Sequence, residues 1–394
     1  MTSKQFFTRF VFFNFSFLLL ICSSVYCIDS KSFHHVLGEK SFFPRTTENS
    51  FLSKLYYLSN NKLDTIYFGS SRTEVGLPAY SLLGENKVIY NAGVTGMSFG
   101  KMLPFIKHGI ALSNPDQVVI GVDFTSFNLS DINADMDFEP SLLTSNYPTY
   151  FVKRIFFEFS NALSFYAIEN TAKSIRAFYN GEKYDGLQEK LSLKGQRTEV
   201  KMRSLIEDEG KGIKAFHETI NSALKGDYSN SASDESIYKF NDLVKLLCDK
   251  KIATKIYIHP VHALTTDVLR QKGLWPKLEK WKAQLAKIAS HNQSQHCSIN
   301  IFDFSGYNSI TTESVNNLSK SKTLKHYWEA SHYKSEVGEL ILKRLFSKND
   351  SDVPKDFGLE LSQNTITHVL ATIREEQSRY LTSHSEDIRF AQNN

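Results

Sequence analysis

Asp64 to Phe68 is a short β-branched and aromatic run that stops dead at Gly69-Ser70-Ser71, and four more runs of that kind follow it. They are Lys87 to Tyr90, Gln117 to Val122, Lys255 to His259 and Ile299 to Phe304. Helix-length amphipathic segments separate them: Met102, Phe105, Ile106 and Ile110 share one face, as do Phe240, Val244 and Leu247, and Leu278, Trp281, Leu285 and Ile288. Near-continuous apolar strands alternating with such helices call for a parallel sheet covered on both sides. The expected fold is α/β, a flavodoxin-like three-layer α/β/α sandwich on a five-stranded parallel sheet of order 2-1-3-4-5.

The rhythm lapses between Leu129 and Ser233, which reads as a helical insertion after strand three. Its aromatic start (Tyr147, Tyr150, Phe151, Phe156, Phe157, Phe159) suits core packing better than a substrate platform or a membrane contact. The domain plan is therefore 1–30 as a leader, 31–60 as linker and lead-in helix, 61–348 as the α/β domain with insertion 129–233, and 349–394 as a helical extension. A chain of 394 residues that is 41% hydrophobic and 13% aromatic can bury a full core. Its 46 basic and 42 acidic residues leave a formal charge of only +4, spread along the chain, which gives no electrostatic case for nucleic acid.

Lys4 and Arg9 precede an uncharged run from Phe10 to Ile28. A basic flank before an apolar stretch close to the roughly 20 residues that cross a bilayer is a signal anchor, or a cleaved signal with its site after Cys27. Leu20-Ile21-Cys22 lacks the small residue that a lipoprotein signal needs before its cysteine. On either reading the remainder is exported, to the periplasmic or extracellular side of the cell membrane. Cys248 and Cys297 are then the only cysteines of the folded part, each just ahead of a strand; a disulfide and two buried thiols are both open.

In a doubly wound sheet, ligands bind outside the carboxyl ends of the strands. Ser71, Gly93, Asp123 and His262 follow strands one to four, and Glu329-Ala330-Ser331-His332 precedes the helix of Val337, Leu340, Ile341 and Leu345. A serine becomes nucleophilic when an imidazole takes its proton and a carboxylate orients that imidazole. All three types occur, in the order serine, acid, histidine. His259-Pro260-Val261-His262 lacks cysteine or close carboxylate partners and is a poor metal site; His262, past the turn-forming proline, is the better pocket residue. His326 and the His34-His35 pair read as solvated loop residues. No Gly-rich phosphate loop or dinucleotide fingerprint is present, and no cofactor is expected.

Gly69-Ser70-Ser71-Arg72, Asn91-Ala92-Gly93, Gly121-Val122-Asp123 and Glu329-Ala330-Ser331-His332 resemble, in order and position, the blocks of the SGNH/GDSL hydrolase superfamily. They are similar above all to its exported, membrane-anchored members associated with bacterial surface polysaccharides. The resemblance spans roughly Asp64 to Leu345. It implies that Ser71 is the nucleophile, His332 the base, Glu329 its orienting acid and Gly93 a backbone donor to the oxyanion. It also implies an acyl, by analogy acetyl, ester of a cell-envelope glycan as substrate. Two positions depart from the family pattern. Glu329 stands for an aspartate, and Asp123 stands where the family has an asparagine amide that holds the oxyanion; a carboxylate donates nothing and repels that charge. Arg72 is the nearest substitute donor in sequence. The expectation is a serine esterase or O-acyltransferase, with a non-catalytic glycan- or partner-binding SGNH-like protein as its rival.

Overall fold

The computed structural model of the chain describes residues 2–30, 50–79, 87–129, 140–144, 147–181, 192, 194–295, 297–319, 322–347 and 350–392. The His34-His35 pair and most of the expected linker lie outside these. Along the chain run α1 (Ser3–Ile28), α2 (Ser50–Asn60), β1 (Thr65–Phe68), α3 (Ser71–Gly76), β2 (Ile89–Asn91), α4 (Phe99–Ser113), β3 (Gln117–Val122), α5 (Tyr147–Ala162) and α6 (Phe165–Tyr179). Then come α7 (Glu199–Arg203), α8 (Gly212–Lys225), α9 (Asp234–Asp249), β4 (Ala253–Ile258), α10 (Ala263–Gln271), α11 (Trp275–Gln293), β5 (Ile299–Asp303), α12 (Ser335–Phe346), β6 (Leu359–Glu360), α13 (Ile366–Ser383) and α14 (Ser385–Gln392). They form two compact units, one of residues 1–61, 107–112 and 133–190, the other of 62–106, 113–132 and 191–394.

The larger unit is α/β, with a mostly parallel sheet of six strands in the order β2-β1-β3-β4-β5-β6. Five strands were expected; the sixth, β6, pairs antiparallel with β5 through Phe302–Glu360 and Asp303–Leu359. Two residues with no apolar alternation leave no readable strand signal, which is why the sequence gives no hint of it. Residues 349–394 are accordingly part of this unit, and α13 packs against α11. Among the described residues no strand lies between β3 and β4, but the expected insertion divides: α5 and α6 belong to the smaller unit, while α7 and α8 belong to the α/β unit.

Ile66, Tyr67 and Phe68 of β1, Val118, Val119 and Ile120 of β3 and Ile256 and Tyr257 of β4 are completely buried, as strands covered on both faces must be. Each large apolar side chain withdrawn from water contributes about 1.5–3 kcal/mol. Beyond the strands, Phe127 stacks on Phe99 at 4.2 Å between centroids and meets Trp281 edge-on at 5.3 Å. Cys248, in the last turn of α9, is disulfide-bonded to Cys297, just before β5, which settles the alternative left open by the sequence. The bond ties together two points 49 residues apart; in the chain-entropy account such a loop stabilises by about 4 kcal/mol.

The smaller unit contains α1, α2, α5 and α6. α1 is long and apolar enough to cross a membrane, with a mean hydropathy of 2.1 over its best window. Every residue from Thr2 to Leu20 is exposed, and burial begins only at Ile21. The aromatic run of α5 does not pack into a core: among its described side chains Phe151, Phe156 and Phe159 are exposed, Phe157 is half-buried and Tyr150 is buried. The core-packing expectation for it is therefore wrong.

Candidate active site

β1 delivers the chain to Ser70, whose extended backbone and side chain cap α3; its Oγ accepts from Arg72 N–H at 3.4 Å. Ser71 is thereby the first helical residue. Its amide has no acceptor within the helix and forms part of the positive end of the helix dipole. The Ser71 hydroxyl meets His332 Nε2 at 2.7 Å.

His332 sits in a tight loop closed by the bridge Tyr327–Tyr333 and by Trp328 N–H donating to His332 C=O at 2.9 Å. Glu329 organises the interior of that loop. Its carboxylate accepts from Ser331 N–H at 3.0 Å and His332 N–H at 2.9 Å, and binds His332 Nδ1. With Nδ1 donating to the acid, Nε2 is left to accept the serine proton. Burial works against the charge of Glu329, but His332 beside it and the hydrogen bonds it accepts hold its pKa down at about 2. The loop is pinned from outside as well. His262 N–H and Thr265 Oγ donate to Ala330 C=O at 3.1 and 2.8 Å, and Arg72 Nε donates to Ser331 C=O at 3.2 Å. The order of contacts Ser71, His332, Glu329 is that of a charge-oriented nucleophile.

Asp123 follows β3 and is ion-paired to Arg72 at 2.8 Å, with Ser70 Oγ donating at 3.4 Å. Burial raises its pKa, yet the Arg72 guanidinium prevails and holds the carboxyl below the usual range. Asp123 is therefore an ionised but compensated group. Two of the donors of Arg72, on Nη1 and Nε, are committed to Asp123 and Ser331.

Gly93 does not present a free amide. Its N–H donates to Asn91 Oδ1 at 2.9 Å. The glycine is required for another reason: a Cβ here would lie 2.6 Å from the Glu74 backbone nitrogen, so only a residue without one lets the loop close on α3.

His262 is not a pocket residue. It is fully buried, caps α10 by accepting from Leu264 N–H at 3.2 Å, and donates from Nε2 to Glu313 C=O at 2.7 Å. Burial pushes its pKa down to about 4, so it is neutral. His259, passed over in the sequence, takes the place assigned to it. Its Nε2 lies 3.9 Å from Asp123, and burial, opposed by Asp123, brings its pKa to about 4. Below the site, Thr73 Oγ meets Tyr257 OH at 3.0 Å, Tyr257 OH meets Tyr333 OH at 3.2 Å, and Tyr333 OH meets His259 Nδ1 at 3.3 Å. This buried network ties α3, β4 and the His332 loop together, and of its members only His259 was weighed from sequence. Gly121 makes room for it, since a Cβ there would come within 2.5 Å of the His259 ring.

A cavity of about 560 Å³ opens beside these groups. Arg72, Asp123, His259 and His332 line one part; Met202 and Ile206, with Leu269, Leu278 and Trp281, give the rest an apolar wall. Among the described residues no cluster of three or more histidine, cysteine or acidic side chains could hold a metal ion. His326, read as solvated, is half-buried, and its N–H donates to Glu313 at 2.8 Å. No family model matches this chain, and no curated protein matches it either.

Proposed function

We propose that the chain is a serine-dependent esterase or O-acyltransferase of the SGNH type, membrane-anchored, with its α/β unit exported and acting on acyl groups of a cell-envelope glycan. The observation that carries the chemistry is the 2.7 Å contact of Ser71 Oγ with His332 Nε2, backed by Glu329 on Nδ1. Ser71 Oγ attacks the ester carbonyl as its proton passes to Nε2, and His332 then returns that proton to the departing alkoxide. Water or a sugar hydroxyl, deprotonated by His332, resolves the acyl-enzyme. The amide of Ser71 is the donor best placed for the oxyanion, at the start of α3. The order of the five parallel strands is compatible with a flavodoxin-like sandwich, and the Cys248–Cys297 bond favours an oxidising compartment.

The resemblance suggests acetyl as the acyl group. The cavity, far larger than an acetyl group and walled by Met202, Ile206 and Leu269, suits a longer acyl chain just as well. A second reading, a binding protein built on an SGNH-like frame, draws on one feature: Gly93 N–H and Asp123 supply no donor to an oxyanion. Treating the exported chain with a fluorophosphonate probe and mapping the adduct separates the two. Labelling of Ser71 that vanishes in His332→Ala supports the enzyme. An unlabelled Ser71, with no hydrolysis of acetyl to octanoyl esters, leaves the binding reading.

A further inference from the structure

The smaller unit contains two helices that are inside out. On α5, Val152, Ile155, Phe156 and Phe159 form one stripe at helical spacing, joined by Phe151, and all five are exposed, Phe156 to 69%. The opposite face turns polar groups inward. Arg154 pairs with Glu158 and Asn60 and lies 4.3 Å over the ring of Tyr56 on α2. On α6 the buried residues are Ala167, Asn170, Thr171 and Ser174, while Phe165 is 82% exposed, with Tyr166, Ile168, Phe178 and Tyr179 also outward. A helix in water places its apolar stripe on the core. Both helices do the reverse, and soluble monomers rarely leave so large an aromatic face uncovered.

We propose that α5 and α6 form an interfacial membrane element, their aromatic faces seated in the lipid headgroup and upper acyl region beside the point where α1 leaves the bilayer. Continuity with α1 selects lipid over other occupants. α1 packs against both helices, and its only covered residues are those from Ile21 onward. The exposed stretch from Ser3 to Leu20 is about 27 Å long, close to the hydrocarbon thickness. The helices that meet its last turns therefore stand at the bilayer surface. Small side chains on the covered face of α6 (Ala167, Thr171, Ser174) suit close packing between helices in lipid. At 16 and 15 residues and interrupted by charge, α5 and α6 are too short to span and have the make-up of helices lying in the interface. Lys153, Lys173 and Arg176 are exposed on them, within reach of phosphate groups.

This inference goes beyond the esterase reading and stands whether or not Ser71 reacts. It is tested on the full chain reconstituted in vesicles of phosphatidylcholine and phosphatidylglycerol. In a Cys22→Ser, Cys27→Ser background, bimane is attached at Phe156→Cys, at Phe165→Cys, or at Tyr238→Cys as an aqueous reference on α9. Doxyl groups high on the acyl chain should quench the first two by roughly half while iodide leaves them bright, and the reference should show the opposite pattern. Iodide quenching of Phe156→Cys and Phe165→Cys as strong as at the reference overturns the proposal. So does shielding from both quenchers, which means that a protein, such as a second copy of the chain, covers the face. Intact mass on the same vesicles reports whether α1 is retained, so loss of the anchor is told apart from failure of the hairpin to enter lipid; lipid quenching decides the proposal in either case.

Discussion

The two units obey opposite rules of polarity. In the α/β unit, aromatic and branched side chains such as Phe68, Ile120 and Tyr257 are completely buried, and the buried carboxylate of Asp123 is paired with Arg72. In the smaller unit, Arg154 and Glu158 face a neighbouring helix while Phe156 and Phe165 face outward. A hydrophobic stripe marks a contact; which contact depends on what surrounds the helix. Water drives the stripe inward in one unit, and an apolar neighbour outside the chain removes that drive in the other.

The sharpest break between the units concerns the proposed chemistry, whose residues Ser71, His332 and Glu329 all lie in the α/β unit. Ser71→Ala and His332→Ala are each expected to lower ester turnover by about 10⁴-fold or more, with the double variant little worse, because the residues act as one device. Truncating the aromatic face, as Phe156→Ser with Phe159→Ser, should leave kcat on a soluble ester unchanged. A comparable loss of kcat there would show that the two units are not separable in function.

Stability tests the same contrast. Phe68→Ala removes a ring from the centre of the sheet and should cost about 3–5 kcal/mol, since the cavity cannot fully collapse. Phe156→Ala removes a ring of the same size from an exposed face and should change detergent-phase stability by less than about 0.5 kcal/mol. Equal losses by denaturant titration would mean that the α5 face is packed after all.

Much of the catalytic arrangement is readable because it is short-range. Ser71 follows a strand that ends on small residues, and Glu329 precedes His332 within a single loop, so each local segment carries its own geometry. Pairings decided by distant side chains are not readable. His259 and His262 are equally plausible along the chain; the wall of Phe216 and Tyr327 around His262 and the carbonyl of Glu313 decide between them. The amide of Gly93 is lost to a neighbour's side chain, Asn91, that a motif treats as filler. The aromatic run of α5 was visible from the start, but periodicity reports a stripe without saying what lies against it.

Acid should strike the α/β unit through these histidines. The folded values near 4 for His259 and His262 lie below the ordinary 6.5, so the unfolded chain binds more protons between those limits. Stability therefore falls as pH drops from about 6.5 to about 4, by up to roughly 3 kcal/mol for each histidine. Glu329 adds a later loss: its folded value of about 2 against 4.5 means that its contribution fades only as pH falls through that lower range. Denaturant titrations at pH 7.5 and 5 should show the first loss, and His262→Asn should lower the proton uptake on unfolding by roughly one. An unchanged pH slope in that variant would mean that His262 is protonated in the folded state.

The smallest effect is the most informative about the oxyanion. Asp123→Asn keeps the shape of the side chain; with its amide oxygen in the place of the Oδ2 that faces Arg72, its NH2 takes the place of the other carboxylate oxygen. Because Arg72 already compensates the carboxylate at 2.8 Å, the substitution removes little net repulsion and mainly adds one donor. A donor aimed at the oxyanion is worth about 10²–10³ in rate when its geometry is ideal. An amide restrained by Arg72 should recover part of that, raising kcat/KM on a small ester by roughly tenfold. A fall instead would show that the ionised Asp123 positions Arg72, and through Ser331 C=O the His332 loop, more than its charge impedes the reaction. Arg72→Lys resolves that outcome: it keeps a cation for Asp123 but lacks the Nε that reaches Ser331, so a positioning role predicts a drop in kcat with KM unchanged.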